Sequence, residues 1–205
     1  MCPVLATDAQ AKTLELVALG DSLTQGYGLA PDDGLVAQLQ RWLLAHGADV
    51  TVINAGVSGD TTAGGRARLD WSLSDQTDAL MIALGGNDLL RGLPPEEARA
   101  NLDAMLSTAN ARNLPVLLIG LPAPGNYGPD YKAAFDALWP ELAAKHGALL
   151  VTNLLAPITD LPPKARAAQA LMQEDGIHPA PDGVALIVDH LGPTVLELLA
   201  QVPPR

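Results

Sequence analysis

Five short apolar runs recur along the chain: Leu14–Leu19, Val50–Ala55, Ala79–Leu84, Pro115–Gly120 and Leu149–Thr152. Such short, near-continuous apolar runs are the pattern of parallel strands buried on both faces. Between them the spacing turns helical. Gly34–His46 sets Leu35, Val36, Leu39, Trp42 and Leu43 on one face, and Gly47 ends it. Thr62–Ser74 reads as a second helix. A third opens on Pro94-Pro95-Glu96-Glu97, with proline and acids where a first turn favours them, and runs to about Asn113. Pro129–His146, a short Lys164–Met172 and Asp182–Ala200 complete the set, the last apolar at Val184, Ile187, Val188, Leu191 and Val195. Leu154–Pro163 reads as irregular.

Strands alternating with helices predict an α/β domain with a five-stranded parallel sheet covered on both faces. Right-handed crossovers bring all strand C-termini to one edge. The segments leaving the strands are polar or rich in Gly and Pro: Gly20-Asp21-Ser22-Leu23 with Thr24–Gly28, Gly56–Thr62, Gly85-Gly86-Asn87-Asp88, and Leu121–Gly128. The loops at Ser22, Gly59, Asn87 and Asn126 are therefore expected to meet at that edge, where open α/β sheets hold their ligands. Gly20 is expected to permit a sharp turn into Ser22.

Ser22 is the candidate nucleophile, and a serine hydroxyl needs a base. The chain has four histidines. His46 and His146 each precede a glycine at a predicted helix end, and His190 lies within the last helix; all three read as structural. His178 sits in Asp175-Gly176-Ile177-His178-Pro179, where one tight turn brings the Asp175 carboxylate to the imidazole. Acyl transfer also needs donors for an oxyanion. The candidates are the Ser22 N–H, the Gly59 N–H and the Asn87 side-chain amide. Asp60 and Asp88, beside these residues, read as acceptors that fix loops, and Asp21 as fixing the serine turn. Arg66, Arg68 and Arg91 are candidates to meet an anionic head group, but read first as solvated helix or loop positions.

Composition narrows the partners. The formal charge is −11 over 205 residues, which argues against nucleic acid and anionic membrane. Aromatics are scarce, so the core is aliphatic. Cys2 is the single cysteine, which excludes an intrachain disulfide and leaves the compartment open. No apolar run approaches a membrane span, so a soluble protein without integral membrane association is expected. Residues 1–12 read as a flexible lead-in without signal-peptide features, and residues 13–205 as a single domain. A periplasmic or secreted location follows if a leader was removed, a cytoplasmic one otherwise.

Gly20-Asp21-Ser22-Leu23, the Gly59 segment Asn54–Thr61, Gly85-Gly86-Asn87-Asp88 and Asp175-Gly176-Ile177-His178 resemble, in order and spacing, the blocks of the SGNH (GDSL) hydrolases. Ser58-Gly59-Asp60-Thr61, Arg91-Gly92 and Asn126-Tyr127-Gly128 are similar to the bacterial arylesterase, acyl-CoA thioesterase and lysophospholipase subgroup. The resemblance covers the chain from about Leu14. It implies a three-layer α/β/α, flavodoxin-like fold. It also implies a triad of Ser22, His178 and Asp175, and an oxyanion hole of Ser22, Gly59 and Asn87. The expected activity is a carboxylic ester hydrolase acting on a small-molecule ester, with thioesters and lysophospholipids in range and no cofactor or metal. In the subgroup the loop after Asn87 borders the acyl site. Leu89, Leu90 and Leu93 are thus expected to wall an apolar pocket, with Asn126 and the Pro122–Gly128 loop opposite. The alternatives are a carbohydrate O-acetylesterase and a non-catalytic binding module on the same fold; the intact motifs argue against the latter. Oligomeric state is open.

Overall fold

A computed structural model describes residues 13–203. The lead-in over residues 1–12, with Cys2, lies outside the described residues. The strands are β1 (Leu14–Gly20), β2 (Val50–Gly56), β3 (Ala79–Ala83), β4 (Val116–Ile119) and β5 (Leu149–Val151). They form one parallel sheet in the order β2-β1-β3-β4-β5. The helices are α1 (Ser22–Gln25), α2 (Leu35–Ala45), α3 (Thr62–Ser72), α4 (Gly86–Leu90), α5 (Pro95–Ala111), α6 (Pro129–His146), α7 (Ala156–Thr159), α8 (Pro163–Ala168) and α9 (Pro181–Ala200).

Alternation along each strand divides the core. Leu16, Ala18 and Met81 face α2 and α9, whereas Val17, Leu19, Leu80 and Ile82 face α3, α5 and α6. The result is the expected three-layer α/β/α sandwich. The crossovers on either side of β1 leave in opposite directions, so a crevice opens between the C-terminal ends of β1 and β3. Gly20 pairs in register with both Gly56 and Ala83. The chain therefore leaves three adjacent strands at one level, which brings the loops after them side by side.

Three segments differ from their expected form. The serine turn and the Asn87 loop each begin a helix, α1 and α4, and α7 lies within the stretch read as irregular. The short helix predicted over Lys164–Met172 is α8, shifted towards the N-terminus, and Met172 forms an isolated bridge with Pro179. Helix α9 has 20 residues and a mean hydropathy of 1.5, long and apolar enough by length and composition to cross a membrane. Asp182, Asp189, His190 and Glu197 interrupt its apolar run, which hides this in the linear pattern. Here it is a core helix, with Val184, Ile187, Val188, Leu191, Val195 and Leu198 buried.

Candidate active site

Ser22 is the first residue of α1. Asp21 caps that helix, its Oδ1 accepting the Leu23 N–H at 3.0 Å. Asp21 thus fixes the serine turn. The requirement for Gly20 is space rather than a sharp bend. Its φ is not positive, and a Cβ there would collide with Thr24 Oγ1 and press on the Ala83 carbonyl.

His178 arrives from the loop before α9. Its Nε2 lies 2.8 Å from Ser22 Oγ and its Nδ1 lies 2.6 Å from Asp175 Oδ2. These partners set the tautomer: Nδ1–H donates to the carboxylate, and Nε2 accepts the serine proton. Asp175 Oδ1 accepts the backbone N–H of Ile177 and of His178 at 2.9 and 3.0 Å, closing the turn that Gly176 allows with φ +67°. The His178 N–H, the His178 ring and the Ile177 N–H hold the Asp175 carboxyl down at about 2.

Gly59 lies in the loop before α3 with φ +83°, a left-handed conformation that favours glycine. Arg91 Nη2 donates to its carbonyl at 2.7 Å. Neither the Gly59 N–H nor the Ser22 N–H is taken by an acceptor among the described residues. Asn87 is in the first turn of α4, and its Nδ2 donates to the Asp60 carbonyl at 2.9 Å and lies 3.4 Å from Asp21 Oδ2. Asp88 is 1% exposed and accepts the Thr62 N–H at 2.8 Å and the Thr62 hydroxyl at 2.6 Å, tying α4 to the start of α3. Burial is the main cause that pushes the Asp21 carboxyl up to about 6, opposed by the Leu23 N–H and by His178.

Arg68 is not solvated as the sequence suggested. It is partly buried and bonded to Asp60, Ala55 and Gly20. Arg66 reaches Asn101 at the surface. His46 stacks on Trp42, and His146 bonds Asp103 Oδ1 at 2.7 Å.

Ser22, Gly59, Asn87 and His178 line one cavity of about 570 Å³. Leu89, Leu90 and Asn126 line it too, as does the loop opposite through Pro122, Pro124 and Tyr127. Leu93 is not among the lining residues, which corrects that expectation. It follows the turn that ends α4, and its carbonyl accepts the Tyr131 hydroxyl at 2.8 Å. The sequence reading missed Leu23, Tyr27, Leu121, Leu155 and Ile177, which complete the apolar wall. Their only signal is position: Leu23, Leu121 and Leu155 lie a few residues past a strand end, Ile177 adjoins His178, and Tyr27 follows the serine helix α1. Among the described residues no cluster of His, Cys, Asp and Glu is arranged to hold a metal ion.

Residues 18–186 match the GDSL-like lipase/acylhydrolase family. The chain is 40% identical over 191 residues to esterase TesA of Pseudomonas aeruginosa, covering 93% of this chain and 92% of that one. It is 35% identical over 199 residues to an arylesterase of Vibrio mimicus, covering 97% and 94%. The crystal structure of AlinE4, an esterase of the SGNH-hydrolase family, superposes with a TM-score of 0.74 at 40% identity, over 92% of this chain and 98% of that one. On the family match and on these two relatives, the chain belongs to the GDSL-like lipase/acylhydrolase family and is a carboxylic ester hydrolase.

Proposed function

We propose that this hydrolase cleaves small apolar esters, aryl and short-to-medium acyl, through an acyl-enzyme on Ser22. One observation carries the reading: the continuous hydrogen-bonded chain from Ser22 Oγ through His178 to Asp175. Ser22 Oγ attacks the ester carbonyl as His178 Nε2 takes its proton. Asp175 holds the ring and balances the imidazolium. The Ser22 N–H, the Gly59 N–H and an Asn87 amide proton receive the oxyanion. Collapse expels the alcohol, which leaves with the proton from His178. Water, deprotonated by the same Nε2, then attacks the acyl-enzyme. A second oxyanion forms in the same place and collapses to free acid and Ser22.

The lining favours apolar substrates. Leu23, Leu89, Leu90, Leu121, Leu155 and Ile177 face the cavity, with Ser58, Asn126 and Tyr127 among its few polar side chains outside the catalytic set, so most sugar hydroxyls would lose water there with few partners. This speaks against the carbohydrate O-acetylesterase alternative. Thioesters and lysophospholipids share the reacting carbonyl and stay within the same mechanism. The charge of −11 speaks against nucleic acid and anionic membrane as partners. With α9 packed in the core, residues 13–205 work as one soluble hydrolase domain.

The test is hydrolysis of p-nitrophenyl esters from C2 to C12 by wild type and Ser22→Ala, with folding followed by circular dichroism. Activity lost in a folded Ser22→Ala protein supports the acyl-enzyme. Activity retained there, or a folded wild type inactive on every ester, overturns it.

A further inference from the structure

Tyr27 follows α1, directly after the cap residue Gly26, and its ring lies against the His178 imidazole. The two centroids are 4.8 Å apart with the planes tilted by 38°. Its backbone is held at both ends by the segments that carry Ser22 and His178. The Tyr27 N–H donates to the Ser22 carbonyl at 3.1 Å. The Tyr27 carbonyl accepts Gln173 Nε2 at 2.9 Å, and the Gln173 N–H donates to the His178 carbonyl at 2.8 Å. Gln173 Nε2 also reaches the Pro179 carbonyl at 3.0 Å. The phenol oxygen makes no hydrogen bond within the protein among the described residues, so the ring rather than the hydroxyl is what the fold presents to His178.

The chemistry of that contact changes during the reaction. A neutral imidazole gains only packing from the phenol ring. An imidazolium within about 6 Å of a ring centroid is also drawn to its negative face. The His178 side chain is 14% exposed and Tyr27 is 53% exposed, so water screens the contact in part and its strength falls between that of an exposed pair and a desolvated one. An interaction present only when His178 is charged is stronger in the transition state than in the ground state, and it therefore accelerates the chemical step.

We infer that Tyr27 is a positioning residue: its ring, clamped between the serine and histidine segments, holds His178 and stabilises the imidazolium formed as Ser22 attacks. The inference rests on His178 being the base. Tyr27 also lines the cavity, so simple substrate contact is the competing account. That account predicts losses that sit in KM and vary with acyl length.

Tyr27→Phe, Tyr27→Leu and Tyr27→Gln are compared with wild type and with His178→Ala on p-nitrophenyl acetate, butyrate and octanoate, each variant's fold checked by circular dichroism and melting. Tyr27→Phe is expected to keep kcat within about twofold, because the ring face remains. Tyr27→Leu and Tyr27→Gln are expected to lower kcat about three- to tenfold, by the same factor on all three esters, with KM little moved. A folded Tyr27→Leu or Tyr27→Gln with wild-type kcat overturns the inference. So does a loss confined to KM or graded with acyl length, and so does a Tyr27→Phe as impaired as Tyr27→Leu. Activity surviving in His178→Ala removes the base assignment itself. A silent His178→Ala beside a normal Tyr27→Leu removes only the role of Tyr27.

Discussion

Arg68 Nη2 donates to the carbonyl of Gly20 at 2.8 Å, two residues before Ser22. The same guanidinium gives Nη1 to the Ala55 carbonyl at 2.7 Å and Nε to Asp60 Oδ2 at 2.6 Å. One rigid fork thus joins the end of β1, the end of β2 and the residue after Gly59. Asp60 in turn accepts the Asn87 amide through its carbonyl. Arginine suits this place because its donors diverge in a fixed plane, whereas a lysine ammonium concentrates them at one point.

Arg68→Ala is therefore expected to cost about 1–3 kcal/mol of stability, since it removes charge-assisted bonds to the Gly20 and Ala55 carbonyls, of which Gly20 keeps the Val57 N–H, and leaves Asp60 without its counter-ion. It should also lower kcat more than it raises KM. Arg68→Lys should recover part of the stability and less of kcat. Urea melts and steady-state kinetics decide it. Wild-type kcat in a folded Arg68→Ala protein would show that the clamp does not reach the site.

The layers and the edge where the loops meet were legible because buried parallel strands write themselves as apolar runs and right-handed crossovers leave one choice of edge. The two short helices at the site were not. Ser22–Gln25 and Gly86–Leu90 are too brief to show a period, and α1 is held by its Asp21 cap and its Gly26 end rather than by propensity. The role of Arg68 was hidden for another reason. Its partners lie 8, 13 and 48 residues away, and no local pattern encodes such a meeting. The cavity wall was half visible. Leu89 and Leu90 adjoin a motif and Ile177 lies within one, whereas Leu155 joins the wall only through the fold.

Asn87 offers a separable test of the oxyanion arrangement. One amide proton is held by the Asp60 carbonyl at 2.9 Å, and the other reaches Asp21 Oδ2 only at 3.4 Å, a long contact that a developing oxyanion can displace. Asn87→Ala is expected to lower kcat about 10²–10³-fold with KM nearly unchanged, because the bond to substrate strengthens only as charge develops. Titrating activity on p-nitrophenyl butyrate measures it. A loss carried mainly by KM would assign Asn87 to ground-state binding.

Asp21 makes stability depend on pH in an unusual direction. Its carboxyl is raised from 3.8 to about 6, chiefly by burial. At low pH the group is neutral in folded and unfolded chains alike. Between about 4 and 6 the folded chain keeps a proton that the unfolded chain has released, so this residue's contribution falls as pH rises through that window. Above it the whole cost stands, about 3 kcal/mol at 1.36 kcal/mol per unit. Asp21→Asn keeps an oxygen for the Leu23 N–H and removes the charge. It is expected to be more stable than wild type at pH 8 by about 1–3 kcal/mol, with the gain vanishing at pH 4. Urea melts at both values test this. A variant less stable than wild type at pH 8 would mean that the buried carboxylate is worth more to the turn than its desolvation costs.

Leu90 and Leu93 flank the end of α4, and their side chains lead to opposite expectations. Leu90 is 62% exposed and lines the cavity at its rim, so a larger side chain there has room to fold and narrows the space above Ser22. Leu93 is outside the lining, and its backbone bond to Tyr131 does not depend on its side chain. Leu90→Trp should shift the chain-length optimum of p-nitrophenyl esters to shorter acyl groups, with kcat/KM for the longest falling about tenfold relative to the shortest, the scale of a few methylenes losing their contacts. Leu93→Ala should leave the profile in place while lowering the melting temperature. A profile moved by Leu93→Ala and untouched by Leu90→Trp would reverse the assignment of the wall. It would then follow that the acyl chain runs beneath the turn after α4 and not across its exposed face.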